Sequence, residues 1–131
     1  MNKIKLIVLL MITSFASFSQ IVPGTTAITV NSDYYKWSIS DSVYHNSYNS
    51  ILKVSFVFNQ ESFCISSSEK ENKILWAYDT YDSDKREMYF TEFEEMYIID
   101  TYNRVILCYY DYYFDDDTYH KLVEFSNVKF N

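Results

Sequence analysis

One glycine and one proline stand in a chain of 131 residues. That scarcity removes several kinds of site before any motif is sought. Loops that cradle phosphate need glycines in close series, because only a residue without a side chain lets backbone amides curl around the anion. Gly24 is the single glycine, so no such loop exists here, and tightly coiled solenoids are argued against for the same reason. The common calcium loop fails on the same count. It needs a Gly at its sixth position and a Glu at its twelfth. Asp82 and Asp84, or Asp115 to Asp117, supply hard oxygens without that glycine. They read as solvated acidic turns, and no metal site is predicted.

Histidine is scarce as well. His45 and His120 are the only two. Together with two distant cysteines they offer no zinc-ligand spacing. Nothing in the order of residues brings a nucleophile, a base and an orienting acid together. His120 is the best general base available to an enzyme reading, but the expectation is no catalytic residue and no cofactor. Glu92, Glu94 and Glu95 are too local to act as the two carboxyls that a glycosidase holds across a cleft.

Positive charge is the third shortage, with 11 Lys and Arg against 18 Asp and Glu. Two of the lysines, Lys3 and Lys5, open a three-part export pattern. Leu6 to Ile12 follow as an apolar stretch, and Ser17 and Ser19 supply small residues at the spacing a signal peptidase reads. Cleavage is expected between Ser19 and Gln20. The apolar stretch is too short for a stable span of about 20 residues, and no later segment is long and apolar enough. Residues 1–19 are thus read as a signal peptide and residues 20–131 as one secreted or periplasmic domain with no membrane insertion. Nine basic residues then face all 18 acidic ones, so the formal charge of the remainder is −9. A field of that sign repels nucleic acid and anionic lipid. A basic protein or a carbohydrate is the more compatible partner.

What the chain has in abundance is aromatic rings: 14 Tyr, 10 Phe and two Trp. Such residues fit the half-buried surface of a pleated sheet. Alternation supports this reading. Tyr35, Trp37 and Ile39 interleave with polar residues, as do Leu52, Val54, Phe56 and Phe58, then Ile74, Trp76 and Tyr78. Residues 41–50 and 66–72 are polar and read as loops, and Asp82 to Lys85 as a turn. Residues 88–99 fit both a strand and a helical face. No cap frames a helix there, so two strands joined near Phe93 to Glu95 are favoured. Val105, Leu107 and Tyr109 are expected to face the core, with Cys108 facing away. About eight short strands result. The predicted fold is all-β, a small antiparallel β-sandwich or up-and-down barrel.

An exported chain permits a bridge between Cys64 and Cys108, provided that the two lie on neighbouring strands. The most unusual stretch runs from Tyr109 to Asp117. If its strand end is exposed, Tyr110, Tyr112 and Tyr113, with Asp111 and Asp115, form the candidate binding site, rings for stacking and carboxylates for hydrogen bonding. Three functions follow as expectations. The first is a non-catalytic binding protein using those exposed rings and carboxylates. A second is a small barrel carrying an apolar or sugar ligand, lined by Trp37, Trp76 and core-facing Phe and Tyr. The third is an inhibitor of a basic secreted hydrolase, whose opposite charge would speed the encounter.

Overall fold

The computed structural model describes residues 21–59, 62–67, 70–81 and 86–131, with residues 70–81 described by their backbone alone. The leader reading of residues 1–19, the turn and calcium readings at Asp82 and Asp84, and the side chain of Trp76 lie outside what it describes. The aromatic alternation is realised as β-structure throughout, and no helix occurs among the described residues. Among the described residues eleven strands follow one another: β1 (Thr26–Thr29), β2 (Asn31–Ser38), β3 (Val43–Ser50), β4 (Val54–Phe58), β5 (Ser62–Ser67), β6 (Lys70–Tyr81), β7 (Glu87–Thr91), β8 (Met96–Asp100), β9 (Val105–Tyr113), β10 (Thr118–Ser126) and β11 (Lys129–Phe130).

They form two antiparallel sheets. One has the order β11-β1-β4-β5 and the other β7-β8-β9-β10-β2-β3, with the long β6 shared between them. The first half of β6 pairs with β5 (Cys64 opposite Ile74) and the second half with β7 (Asp79 opposite Tyr89). The chain passes between the sheets at three further points, from β1 to β2, from β3 to β4 and from β10 to β11. At the first of these, Thr29 uses its hydroxyl twice. It donates to the Ser126 carbonyl and accepts from the Asn31 amide, which ties the β1–β2 corner to the end of β10.

The sheets are held face to face by rings. Phe56, Phe58 and Phe63 are fully buried on one sheet, and Tyr89, Tyr97 and Phe125 are nearly so on the other. Phe56 meets Phe125 edge-on at 5.2 Å between ring centroids, and Phe63 meets Tyr97 at 4.8 Å and Tyr89 at 5.5 Å. Burying each of these phenylalanines stabilises the fold by about 1.5–3 kcal/mol before conformational entropy is counted. At the start of the described chain, the buried Glu87 carboxylate accepts from the Ile21 amide at 2.7 and 2.8 Å.

Several expectations are corrected. Residues 43–50, read as loop, form β3. Its side chains are mostly exposed, so it carries no apolar alternation, and its pairing with β2 through the backbone defines it. Ser66 and Ser67 belong to β5, and β6 begins at Lys70, where a polar loop was expected. In β9 the phase is reversed. Ile106 and Cys108 are buried, while Val105, Leu107 and Tyr109 are only partly so. Both faces of β9 carry apolar residues, so alternation alone could not say which one points inward. Residues 88–99 do form two strands, β7 and β8, joined by a turn at 92–95. With almost no glycine, turns use other residues in left-handed conformation, among them Ser42, Glu94, Arg104, Asp117 and Asn127.

Candidate functional site

A cavity of about 570 Å³ opens between the two sheets where β3 bends away from β4. Its position follows from strand lengths. The β4–β5 pairing ends at Val54 opposite Ser67, whereas β3 has already left for the other sheet, so the inner faces diverge there. The pairing register shifts at two places near the cavity, between Tyr34 and Tyr35 where β2 meets β3 and between Ile65 and Ser67 where β5 meets β6. Val123, Phe125 and Cys108 line its inner part, and Ser50, Leu52, Ser66 and Ser67 come from the strand ends around it.

Four tyrosines give the cavity its chemistry: Tyr34, Tyr48, Tyr97 and Tyr110. Tyr34 and Tyr48 are direct cross-strand partners, and their rings stack at 4.3 Å and 9°. Tyr97 is the direct cross-strand partner of Cys108. Burial pushes the Tyr97 phenol far above its ordinary value, with Cys108 and Glu95 adding to the effect. Burial likewise lifts Tyr110 to about 12, helped by Cys108, Tyr48 and Tyr34. Tyr34 is raised for the same first reason. At neutral pH these groups are therefore uncharged hydroxyls, able both to donate and to accept. Glu95 completes the lining. Its backbone is fixed by a tight turn, in which the Thr91 amide donates to the Glu95 carbonyl and the Glu95 amide to the Thr91 hydroxyl.

The stretch singled out in the sequence is divided by this architecture. Tyr110 lines the cavity. Asp111, next to it, adopts a left-handed backbone (φ 60°) and places its carboxylate 3.8 Å from the Lys121 ammonium. Tyr112 donates to Asp117 and joins a row of rings outside the cavity lining, Trp37–Tyr44–Tyr109–Tyr119–Tyr112–Phe114. Neighbours in that row stand at 50–87° to one another, so they pack edge-on and offer no flat platform. Tyr113 stacks on His120 at 3.8 Å, and Asp115 is exposed in the β9–β10 turn.

The histidines sit on two hairpins with a shared pattern, Asp41-x-x-Tyr44-His45 and Asp116-x-x-Tyr119-His120. In each, His Nε2 lies 2.8 Å from the Asp carboxylate four residues earlier. A hydrogen bond from Ser38, then one with His45, holds the Asp41 carboxyl below its usual range. Neither histidine lines the cavity. Among the described residues, no three His, Cys, Asp or Glu are grouped so as to hold a metal ion.

Against known protein families, curated proteins and solved structures, the chain finds no match.

No disulfide joins Cys64 to Cys108. Cys64 and Cys108 stand apart, on β5 and β9, with β6, β7 and β8 lying between those strands in the sheet order. Intact mass is accordingly expected to be the same with and without reductant, and alkylation in denaturant to add two labels per chain. A mass two hydrogens lower without reductant would contradict this arrangement.

The sequence missed Tyr34, Tyr48 and Tyr97 as members of one site. Each looks like an ordinary strand tyrosine, and only the pairing of β2 with β3, and the facing of the two sheets, brings them to a common space.

Proposed function

We propose that this chain is an exported, non-catalytic binding protein that holds a small ligand inside a flattened up-and-down barrel. The barrel reading is supported by the pairings. Taken through the points where strands pass between sheets, the eleven strands become eight ribbons: 26–38, 43–58, 62–67, 70–81, 87–91, 96–100, 105–113 and 118–130. Each bonds the next, and the last bonds the first, with Phe125 opposite Ser32 and Lys129 opposite Ile28. Such closure leaves few free edges and encloses an interior.

The observation that carries the binding reading is the tyrosine-lined cavity. Its 570 Å³ falls within the range of about 300–1,000 Å³ typical of small-ligand sites. Phenol rings suit the flat face of an aromatic or sugar ring. The phenol and serine hydroxyls around them suit the polar groups on its rim. The negative charge of the domain argues for a neutral ligand over a polyanion.

The neutral fluorescent probe N-phenyl-1-naphthylamine tests this. It is expected to brighten on binding at one site per chain. Ser66→Trp, which fills the mouth, should weaken binding at least tenfold, and Tyr110→Ala should weaken it as well. Tyr112→Ala, outside the cavity, should leave it unchanged. Probe binding that ignores Ser66→Trp, in a variant with wild-type circular dichroism, would remove the cavity reading. If Tyr112→Ala alone abolished binding, the exposed rings would take its place.

A further inference from the structure

We propose that β3 pairs antiparallel with β3 of a second copy of this chain, extending the six-stranded sheet across a two-fold axis. Three observations converge on this edge. The first is its hydrogen bonding. Among the described residues β3 is the outermost strand of its sheet, paired with β2 on one side only. Eight residues at about 3.4 Å each present about 27 Å of backbone amides and carbonyls, the kind of template that recruits another strand.

The second is charge. Two copies carrying many carboxylates repel each other wherever acidic surfaces meet. From Ser42 to Gln60 the chain runs for 19 residues without an Asp or Glu, the longest such stretch after the expected cleavage point. It contains all of β3, and the edge has no lysine or proline, so its one guard is the register shift at Ser47.

The third is exposed apolar surface. Ile39, Val43, Tyr48, Ile51, Leu52 and Val57 are six of the twelve exposed large hydrophobic side chains among the described residues, and all lie between the β2–β3 turn and β4. Ile51, at 85 % exposure, stands immediately after the edge strand.

Antiparallel symmetry then supplies complementarity at both ends. A register centred on Ser47 sets Val43 opposite Ile51 of the second copy. It also brings Asp41 beside Lys53 of that copy, once at each end of the shared edge. The interface is isologous, as closed dimers require. Its modest length places it among the smaller, reversible interfaces.

Sedimentation velocity of the full mature chain reads the outcome. The wild type should move from monomer toward dimer as concentration rises from about 1 to about 100 μM, the range expected of a small interface. Val43→Glu with Ile51→Glu, both at exposed positions, sets like charges opposite each other and should shift the midpoint upward at least tenfold. Val43→Glu with Ile51→Lys sets opposite charges there and should restore association. Phe114→Glu, on a distant turn, should change nothing. A wild type that stays monomeric throughout, or a Glu/Glu variant that associates as tightly as the wild type, overturns the proposal. So does a Glu/Lys pair that fails to rescue. The readout is mass alone, so it does not depend on whether the cavity holds a ligand.

Discussion

Phe63→Ala should cost about 3–5 kcal/mol of folding stability, the range seen for truncating a buried aromatic in a core. Phe63 is completely buried and touches four rings: Phe56 and Phe58 on its own sheet, Tyr89 and Tyr97 on the other. Removing it takes away both its transfer free energy and the dispersion contacts of those neighbours, which cannot all collapse into the space because they belong to opposed sheets. A domain of this size is stable by roughly 5–15 kcal/mol, so the variant should lose a large share of its stability. Phe114→Ala is the matched comparison. Phe114 is 79 % exposed on a turn, and its loss should stay within about 0.5 kcal/mol. Urea unfolding followed by circular dichroism measures both. Equal effects at the two positions would mean that the rings between the sheets are not what holds them together.

Much of this core was legible in the residue order, and the reason is period. Phe56 and Phe58 alternate with Ser55 and Val57, and the structure buries the two phenylalanines completely. The split of residues 88–99 into two strands was also readable, because no capping residue frames a helix there. Legibility failed where one of two physical conditions broke down. On β3 polar residues outnumber apolar ones and no alternation runs through it, so a strand held by backbone pairing reads as a loop. On β9 there are two apolar faces, since Ile106 and Cys108 alternate with Val105, Leu107 and Tyr109. Alternation then fixes the element but not its phase.

The candidate site was legible to a smaller degree. Tyr110 was singled out, and it does reach the cavity, but as the inner end of a stretch whose other members lie elsewhere. Asp111, left-handed at that point, separates Tyr110 from Tyr112 and Tyr113. The remaining tyrosines of the cavity come from residues 13 to 76 positions away in the chain. Only pairing and sheet facing gather them, and no local spacing records that. The mouth depends on a still subtler quantity, the mismatch in length between β3, β4 and β5.

Alkaline pH should unfold this protein cooperatively. Burial comes first among the causes that raise the phenols of Tyr97, Tyr110, Tyr44, Tyr34, Tyr109 and Tyr119. Tyr44 and Tyr110 are lifted to about 12, from an ordinary value of 10.0. The sign follows directly. Below pH 10 both folded and unfolded chains keep these protons, and the stabilisation is fully present. Above it the unfolded chain releases them while the folded chain holds them, so each further rise in pH favours unfolding until the folded values are passed. Several phenols acting together make the loss steep. Phenolate absorbance should therefore rise in two stages, the second coinciding with the loss of β-sheet circular dichroism between about pH 10 and 12. Tyr97→Phe keeps the ring between the sheets and removes one protonated phenol. It should move the alkaline midpoint upward, while changing stability at neutral pH by only about 1 kcal/mol for the lost hydroxyl. If all phenols instead titrated together near pH 10 with the dichroism intact, the rings assigned to the interior would have to be in contact with water.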